Sequence, residues 1–402
     1  MTDIRTIDQL DLANRRVFYR VDYNVPLEGG RITDTTRIDE TLPSLKILRD
    51  RGASVVIASH LGRPKGQRNE KYSLRPVREK LAAILGTAVA WADDCTGPDA
   101  ETAAAKLAPG QLLLLENLRF HPEEEKNDGA FAGQLRRLAD LYVNDAFGAS
   151  HRAHASIEAL PRLFPPERTA GGLLLAREIE FLQKVTNVSQ RPFVALLGGA
   201  KIAGKIEPLE ALVTLADSVL IGGGIANTFL AAKGVPMGGS LVDADSIGVA
   251  QRILGGKARA ELLLPIDLVV ADSLDAPTTI EVVDVAAGLS AGQKAFDIGP
   301  KTVDRYRAAL GGARMIFWNG PMGVFEHAEF AKGTMAMAEA VANAGAVSVV
   351  GGGESVEAVK SSGFAARISH ISTGGGASLE FISGAKLPGV EVLRKAVDGT
   401  GD

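Results

Sequence analysis

Short apolar runs that stop at glycine or at polar residues, separated by amphipathic stretches, recur along this 402-residue sequence. The alternation is the pattern of parallel sheets with crossover helices, and it makes the chain an α/β protein. In the first half the runs predict strands over Arg16–Val25, Ser54–His60, Gln111–Asn117 and Asp140–Phe147, each ending in polar or charged residues. The second half offers Pro192–Leu197, Ser218–Ile221, Leu262–Val270, Arg314–Trp318, Ser348–Val350 and Ile368–Ser372, and five of these six run into glycine. Between the halves, Ala176–Val188 carries apolar residues at helical spacing, bounded by Gly171-Gly172 and Arg191-Pro192, and reads as a connecting helix. The tail from Leu387 follows a Pro-Gly break and is expected to pack elsewhere than on the second half.

A chain of this length exceeds what one hydrophobic core organises, so two domains are expected. Their limits are placed at 1–172 and 191–386, with a hinge helix over 173–190 and the tail 387–402 returning to the first domain. Each is a Rossmann-like lobe, a mainly parallel sheet flanked by helices.

Composition excludes several classes of function. The net charge of -4 argues against a general affinity for nucleic acid, so any anion site must come from a local basic cluster. Apolar runs such as Leu112–Leu115 are far shorter than the roughly 20 residues that span a bilayer, and no export signal is visible at the N-terminus. Cys95 is the single cysteine, which rules out an internal disulfide and suggests a reducing compartment, the cytoplasm.

Ligands of parallel sheets bind beyond the carboxyl ends of the strands. In the first half those positions hold Asp22 and Asn24, His60 and Arg63, Asn117 and Arg119, and Asn144 and Asp145, with Arg152 soon after and Arg37 in the TDTTRI segment. Any one arginine is more simply a solvated surface residue. Four arginines and a histidine converging on one rim match the oxygens of a small ligand with phosphate and carboxylate groups. His151 and His154 are read as structural donors in a loop, and Glu123–Glu125 as a solvated loop or helix start with no role.

The second half has a different character. Leu197-Gly-Gly-Ala-Lys201-Ile-Ala-Gly-Lys205 turns from a strand to a helix, where free amides favour phosphate, and places two lysines four apart on one helical face. It approaches the phosphate-loop pattern, but Ile206 stands where a magnesium-binding Ser or Thr is required. No GxGxxG occurs at the glycine clusters, which argues against a nicotinamide or flavin enzyme. Gly222–Gly224, Trp318–Pro321, Gly351–Glu354 and Thr373–Gly376 follow other strands. One triple glycine is a tight turn; three at successive strand ends suggest a backbone that must approach a phosphate chain closely. Glu354 ends its cluster as a candidate Mg²⁺ ligand.

These segments together resemble the phosphoglycerate kinase family along nearly the whole chain. The resemblance rests on VDYNVPL from Val21, TRID from Thr36, SHLGRPKG from Ser59, LLLLENLRFHPEEEKND from Leu112 and YVNDAFGASHRAHAS from Tyr142. The second half adds LLGGAKIAGKI, IGGGIANTF, FWNGPMGVFE, VVGGGES and STGGGASLEF. It implies that Asp22, Asn24, Arg37, His60, Arg63, Arg119 and Arg152 hold 3-phosphoglycerate or 1,3-bisphosphoglycerate. It also implies MgADP or MgATP near Lys201, Lys205, Gly223, Gly224, Asn319, Pro321, Glu326 and Gly352, Gly353, Glu354 and Ser355, with Glu326 at the ribose, Lys205 at the phosphates, and a monomer. Two departures from the family pattern stand out. GGAK continues as IAGK, and Glu354 replaces an aspartate, moving the carboxylate by roughly 1.5 Å, about one carbon–carbon bond.

The implied reaction moves the acyl phosphate of 1,3-bisphosphoglycerate to ADP, in line, after the lobes close. In reverse the nucleophile is a carboxylate, ionised at neutral pH, so no general base is needed and His60 is a binding residue. Stabilisation of the migrating group is assigned to Arg37, Lys201, Gly352 and amides near Gly375. A kinase of another small phosphorylated acid, or a two-lobed binding protein that turns nothing over, are the rival readings.

Overall fold

The computed structural model describes residues 4–394. It divides into two units, one holding the chain up to Glu180 together with the segment from Lys386, the other running from Phe181 to Ala385.

The first unit is built on β1 (Arg16–Arg20), β2 (Ser54–Ala58), β3 (Val89–Ala92), β4 (Leu112–Leu115), β5 (Leu141–Asn144) and β6 (Thr169–Gly171). They form one sheet in the order β3-β4-β2-β1-β5-β6, and every pairing is parallel. A parallel sheet is covered on both faces, so its central strands are apolar throughout rather than alternating. Leu112–Leu115 and Ser54–Ala58 are buried at every position. Strand order reverses between β1 and β5, and from this switch point the loops that follow the two strands diverge to opposite sides.

The second unit places β7 (Phe193–Leu197), β8 (Ser218–Ile221) and β9 (Glu261–Leu263) beside β13 (Met315–Asn319), β14 (Val347–Gly351) and β15 (His370–Ile371). The order is β9-β8-β7-β13-β14-β15, again all parallel. A separate antiparallel sheet holds β11 (Ile280–Asp284), β10 (Asp267–Ala271) and β12 (Lys294–Ile298) in that order.

The expected strand Leu262–Val270 is therefore two strands in different sheets. Pro265 lies between them, and a residue without a backbone N–H cannot carry a ladder across the break. Four strands of these sheets, β3, β6, β11 and β12, were not anticipated, nor was a separate antiparallel hairpin of Leu27–Glu28 and Arg31–Ile32. In β11 the sequence IEVVD is exposed at four of five positions, so burial left no apolar pattern to read.

The connecting helix, α1, runs over Leu173–Thr186, three residues earlier than its spacing suggests. Its first turn is closed by Ala176 N–H donating to Gly172 O at 3.0 Å. The division between units falls within it. The tail enters the first unit as a short helix over Pro388–Glu391. There Gly389 N–H donates to Ser150 O at 2.9 Å, Asn144 Nδ2 donates to Gly389 O at 3.2 Å, and Arg394 bridges to Ile4. The rest of the expected tail, 395–402, lies outside the described residues.

Candidate functional site

In the first unit, Asp22 is the hub of the residues that follow the strands. Its Oδ2 accepts a hydrogen bond from Arg37 Nη1, and its Oδ1 lies 3.8 Å from His60 Nε2. Burial pushes this carboxyl up, but Arg37, His60, Arg20 and the Asn24 amide outweigh it, leaving a pKa of about 2. His60 is held well below the usual histidine range, first by burial, with Arg119, Arg20 and Arg37 adding to it against Asp22. It is a neutral imidazole at pH 7. Its Nδ1 lies 3.3 Å from Arg20 Nη2, and a guanidinium only donates, so Nδ1 accepts and the ring proton sits on Nε2.

Gly62 joins two further residues to this group. Its N–H donates to Asn24 Oδ1 at 2.8 Å, and its carbonyl accepts from Arg119 Nη1 at 2.9 Å. Arg63, the next residue, is exposed. Arg119 is nearly buried; its Nε lies 3.5 Å from Glu125 Oε1 but makes no hydrogen bond. Burial lowers its pKa to about 10, and Arg20 and Arg152 act in the same direction, whereas Glu125 opposes them. Arg152 Nε contacts His151 Nε2 at 3.1 Å.

Three strand-end residues build the rim instead of facing a ligand. Asn117 Nδ2 donates to Leu61 O and Tyr72 O, and its Oδ1 accepts Arg119 N–H, which fixes the Arg119 turn. Asn144 binds Ser150 and Gly389. Asp145 accepts Tyr19 Oη at 2.6 Å and Leu175 N–H at 2.9 Å, and burial raises its pKa to about 6.

Sequence reasoning missed Arg20 and misjudged Glu124 and His154. Arg20 is fully buried at the end of β1, where it donates to Ser156 Oγ at 2.8 Å and to Val21 O and supports His60. Glu124, taken for a solvated residue, is also fully buried, 4.0 Å from Arg20 Nη2. It accepts hydrogen bonds from Ser156 N–H and Oγ. A buried cation requires a buried anion, and that demand overrides the surface preference of an acidic run. His154, read as a structural donor, leaves its buried Nδ1 without a partner, and burial with Arg119, Arg20 and Arg152 lowers its pKa to about 3. An arginine at the last position of an apolar strand was the available signal for Arg20.

The second unit contains a cavity of about 650 Å³, within the range of small-ligand sites. Of the residues singled out in the sequence, Gly223, Gly224, Pro321, Glu326 and Glu354 line it. Its apolar walls come from Leu241, Leu268 and Phe296, which the sequence analysis did not single out. Leu268 and Phe296 belong to the antiparallel sheet, whose strands were only partly legible.

Beside it, Lys205 Nζ donates to Gly198 O at 2.8 Å. Burial lowers the pKa of this lysine, and Glu354 opposes the shift. Lys201 is exposed. The expectation that both lysines share a helical face is overturned. The helix α2 spans Ile206–Leu215, and residues 201–204 form a turn in which glycine at 204 and no intrahelical ladder set the path.

Asn319, at the end of β13, is nearly buried and its Nδ2 has no partner. A Cβ built on Gly352 would lie 3.0 Å from that nitrogen, so the orphan donor borders the turn that opens α4 (Gly353–Ser361). Ser355 is buried and its Oγ accepts Gly320 N–H at 2.6 Å, which ties α4 to the Asn319 turn. Gly353 and Glu354 are exposed on the first turn of α4.

The triple glycines divide by cause. At the start of α3 (Gly223–Ala232), a Cβ on Gly224 would lie 2.1 Å from Ala200 O, so packing of one loop on another requires glycine there. At Gly375, before α5 (Gly376–Ile382), φ is +54° and no atom lies within 4 Å of a Cβ, so conformation alone selects it.

A rim of guanidinium groups on one α/β unit and a glycine-turned cavity flanked by a desolvated lysine on the other define a kinase of small metabolites. The family model described as phosphoglycerate kinase matches residues 7–385. The chain belongs to the phosphoglycerate kinase family, phosphotransferases with a carboxyl group as acceptor. It is 54% identical to phosphoglycerate kinase of Moorella thermoacetica over 390 residues, 96% of this chain and 98% of that one. It is 51% identical to that of Chloroflexus aurantiacus over 403 residues, 98% and 99% of the two chains. Among solved structures, phosphoglycerate kinase from Coxiella burnetii superposes with a TM-score of 0.87 at 38% identity, covering 97% of this chain and 98% of that one.

Proposed function

We propose that this chain transfers the acyl phosphate of 1,3-bisphosphoglycerate to ADP, reversibly, giving 3-phosphoglycerate and ATP. The observation that carries the reading is where polar capacity is left over. Among the described residues, three buried side-chain nitrogens lack partners: Arg119 Nε, His154 Nδ1 and Asn319 Nδ2. All three lie at the two surfaces described above, and buried polar atoms without partners are uncommon elsewhere in proteins.

In this reading Arg63, Arg119 and Arg152, with Asn24 and neutral His60, bind the phosphoglycerate oxygens. Asp22 orients Arg37 by the ion pair between them, and Arg37 neutralises charge on the migrating phosphoryl group. The acceptor carboxylate is already ionised, so His60 donates its Nε2 proton in a hydrogen bond and moves no proton. Lys205, Lys201, the Asn319 amide and N–H groups at Gly352, Gly353 and Gly375 take the nucleotide phosphates. Gly223, Gly224, Pro321 and Glu326 border the nucleoside, and Ser355 holds the turn. The domains are those drawn from the sequence, and the proposal includes a hinge-bending step at α1.

Glu354 is suited to Mg²⁺. It is exposed at the cavity wall on the first turn of α4 and interacts electrostatically with Lys205. A hard cation takes one or two carboxylates plus phosphate oxygens, and when bound it screens phosphate charge. A monomer working in the cytoplasm completes the reading; the single, buried cysteine suits a reducing compartment.

A coupled assay of ATP formation from 1,3-bisphosphoglycerate and MgADP tests the proposal. Turnover that is abolished by omitting either substrate supports it, and absence of ATP formation refutes it.

A further inference from the structure

Away from the residues assigned above, the first unit brings Asp94, Cys95 and His121 together. One carboxylate oxygen, the thiol sulfur and a ring nitrogen all lie within 4.8 Å of one another. Asp94 and Cys95 come from the loop between β3 and the helix Gly97–Ala105, and His121 follows the turn Leu118–Phe120. Two chain segments remote in sequence thus supply three different donor types to one point.

We propose that Asp94, Cys95 and His121 bind a single divalent cation of the zinc class, with water in the fourth position. A sulfur, a nitrogen and an oxygen donor form a borderline-soft set that selects zinc, cobalt or nickel over magnesium or calcium. The cation site assigned to Glu354, in contrast, offers oxygen alone. Access also fits. Cys95 is fully buried beneath the cluster, whereas the side chains of His121 and Asp94 are 28% and 50% exposed, so an ion enters from solvent.

The Asp94–His121 pair needs only a small rearrangement. Asp94 Oδ1 and His121 Nε2 are hydrogen bonded at 2.6 Å, and must part to roughly 3.3 Å, the edge of a tetrahedron with bonds of about 2.0 Å. Both are surface side chains, and the His121 ring is steadied by Phe131 at 5.1 Å between centroids. Asp94 Oδ1 also accepts Cys95 N–H at 2.6 Å, which orients the carboxylate. On binding, the Cys95 thiol gives its proton to solvent and the thiolate becomes the ligand. The bound ion would tie the turn that carries Arg119 to the loop after β3.

The test is titration of the chelator-treated full chain with Co²⁺, followed by absorption, with Mg²⁺ in large excess. The native chain is expected to take one Co²⁺ with a thiolate-to-cobalt charge-transfer band. Cys95→Ala abolishes that band, and His121→Gln, at a partly exposed position, weakens binding at least roughly tenfold. A native chain without the band overturns the proposal. So does a band that persists in Cys95→Ala, that is indifferent to His121→Gln in a folded variant, or that Mg²⁺ removes.

Discussion

Arg20 Nη2 lies 3.3 Å from His60 Nδ1, both side chains being buried, and this contact fixes the imidazole as a neutral ring with its proton on Nε2. The residue closest in type to a general base is therefore set up as a hydrogen-bond donor.

It follows that the rate does not depend on titration of His60 near neutrality. The ring nitrogens of His60, followed by NMR, are expected to keep the neutral Nε2–H pattern from about pH 8 down to about pH 5, below the ordinary histidine value of roughly 6.5. A protonation midpoint between those limits contradicts the assignment.

Arg37→Ala removes the ion pair to Asp22 and the cation assigned to the transition state. Turnover is expected to fall by roughly 10² or more, on the order of 3 kcal/mol, with MgADP affinity nearly kept. Steady-state kinetics beside calorimetry of nucleotide binding check this, and unchanged kcat removes Arg37 from the mechanism.

Two carboxyls with shifted pKa bend the stability–pH curve in opposite senses. Asp22 has its folded pKa lowered to about 2, so its contribution, roughly 2 kcal/mol, is complete above about pH 4 and fades as pH falls toward 2. Asp297, which accepts N–H groups from Ile298 and Gly333, is raised to about 7 by burial. The folded state holds that proton more tightly, so stability declines as pH climbs from about 4 to about 7 and then levels off. Urea denaturation across pH is expected to show a flatter slope between about pH 5 and 7 in Asp297→Asn. An unaltered slope would place the titration elsewhere.

Glycines of different cause respond differently to alanine. Gly224→Ala drives a methyl group into Ala200 O and is expected to cost on the order of 2 kcal/mol or more of stability. Gly353→Ala meets open space, so stability shifts by less than about 1 kcal/mol, while nucleotide KM rises several-fold. Thermal melts and nucleotide titrations separate the two.

Removal of the carboxylate in Glu354→Ala is expected to raise, roughly tenfold, the Mg²⁺ concentration giving half-maximal rate. An unmoved requirement, measured at fixed ADP, takes Glu354 out of the metal's surroundings.

The parallel sheets were legible because buried strands such as Leu112–Leu115 are apolar at every position and stop abruptly. The arginine rim was legible for the same reason, since strand ends locate themselves. Arg20, Glu124 and His154 escaped because burial of a polar side chain depends on partners remote in sequence, here Ser156, 136 residues from Arg20 and 32 from Glu124. The Leu268–Phe296 wall escaped because the antiparallel sheet carries an exposed strand with little periodicity.

The hold of Ser150 and Asn144 on Gly389 has a bearing on biosynthesis. The first unit is completed by a segment that is made only after every residue of Phe181–Ala385. The second unit is complete in the nascent polypeptide while the first still waits for its closing piece, so a premature stop before Lys386 damages the unit that was begun first.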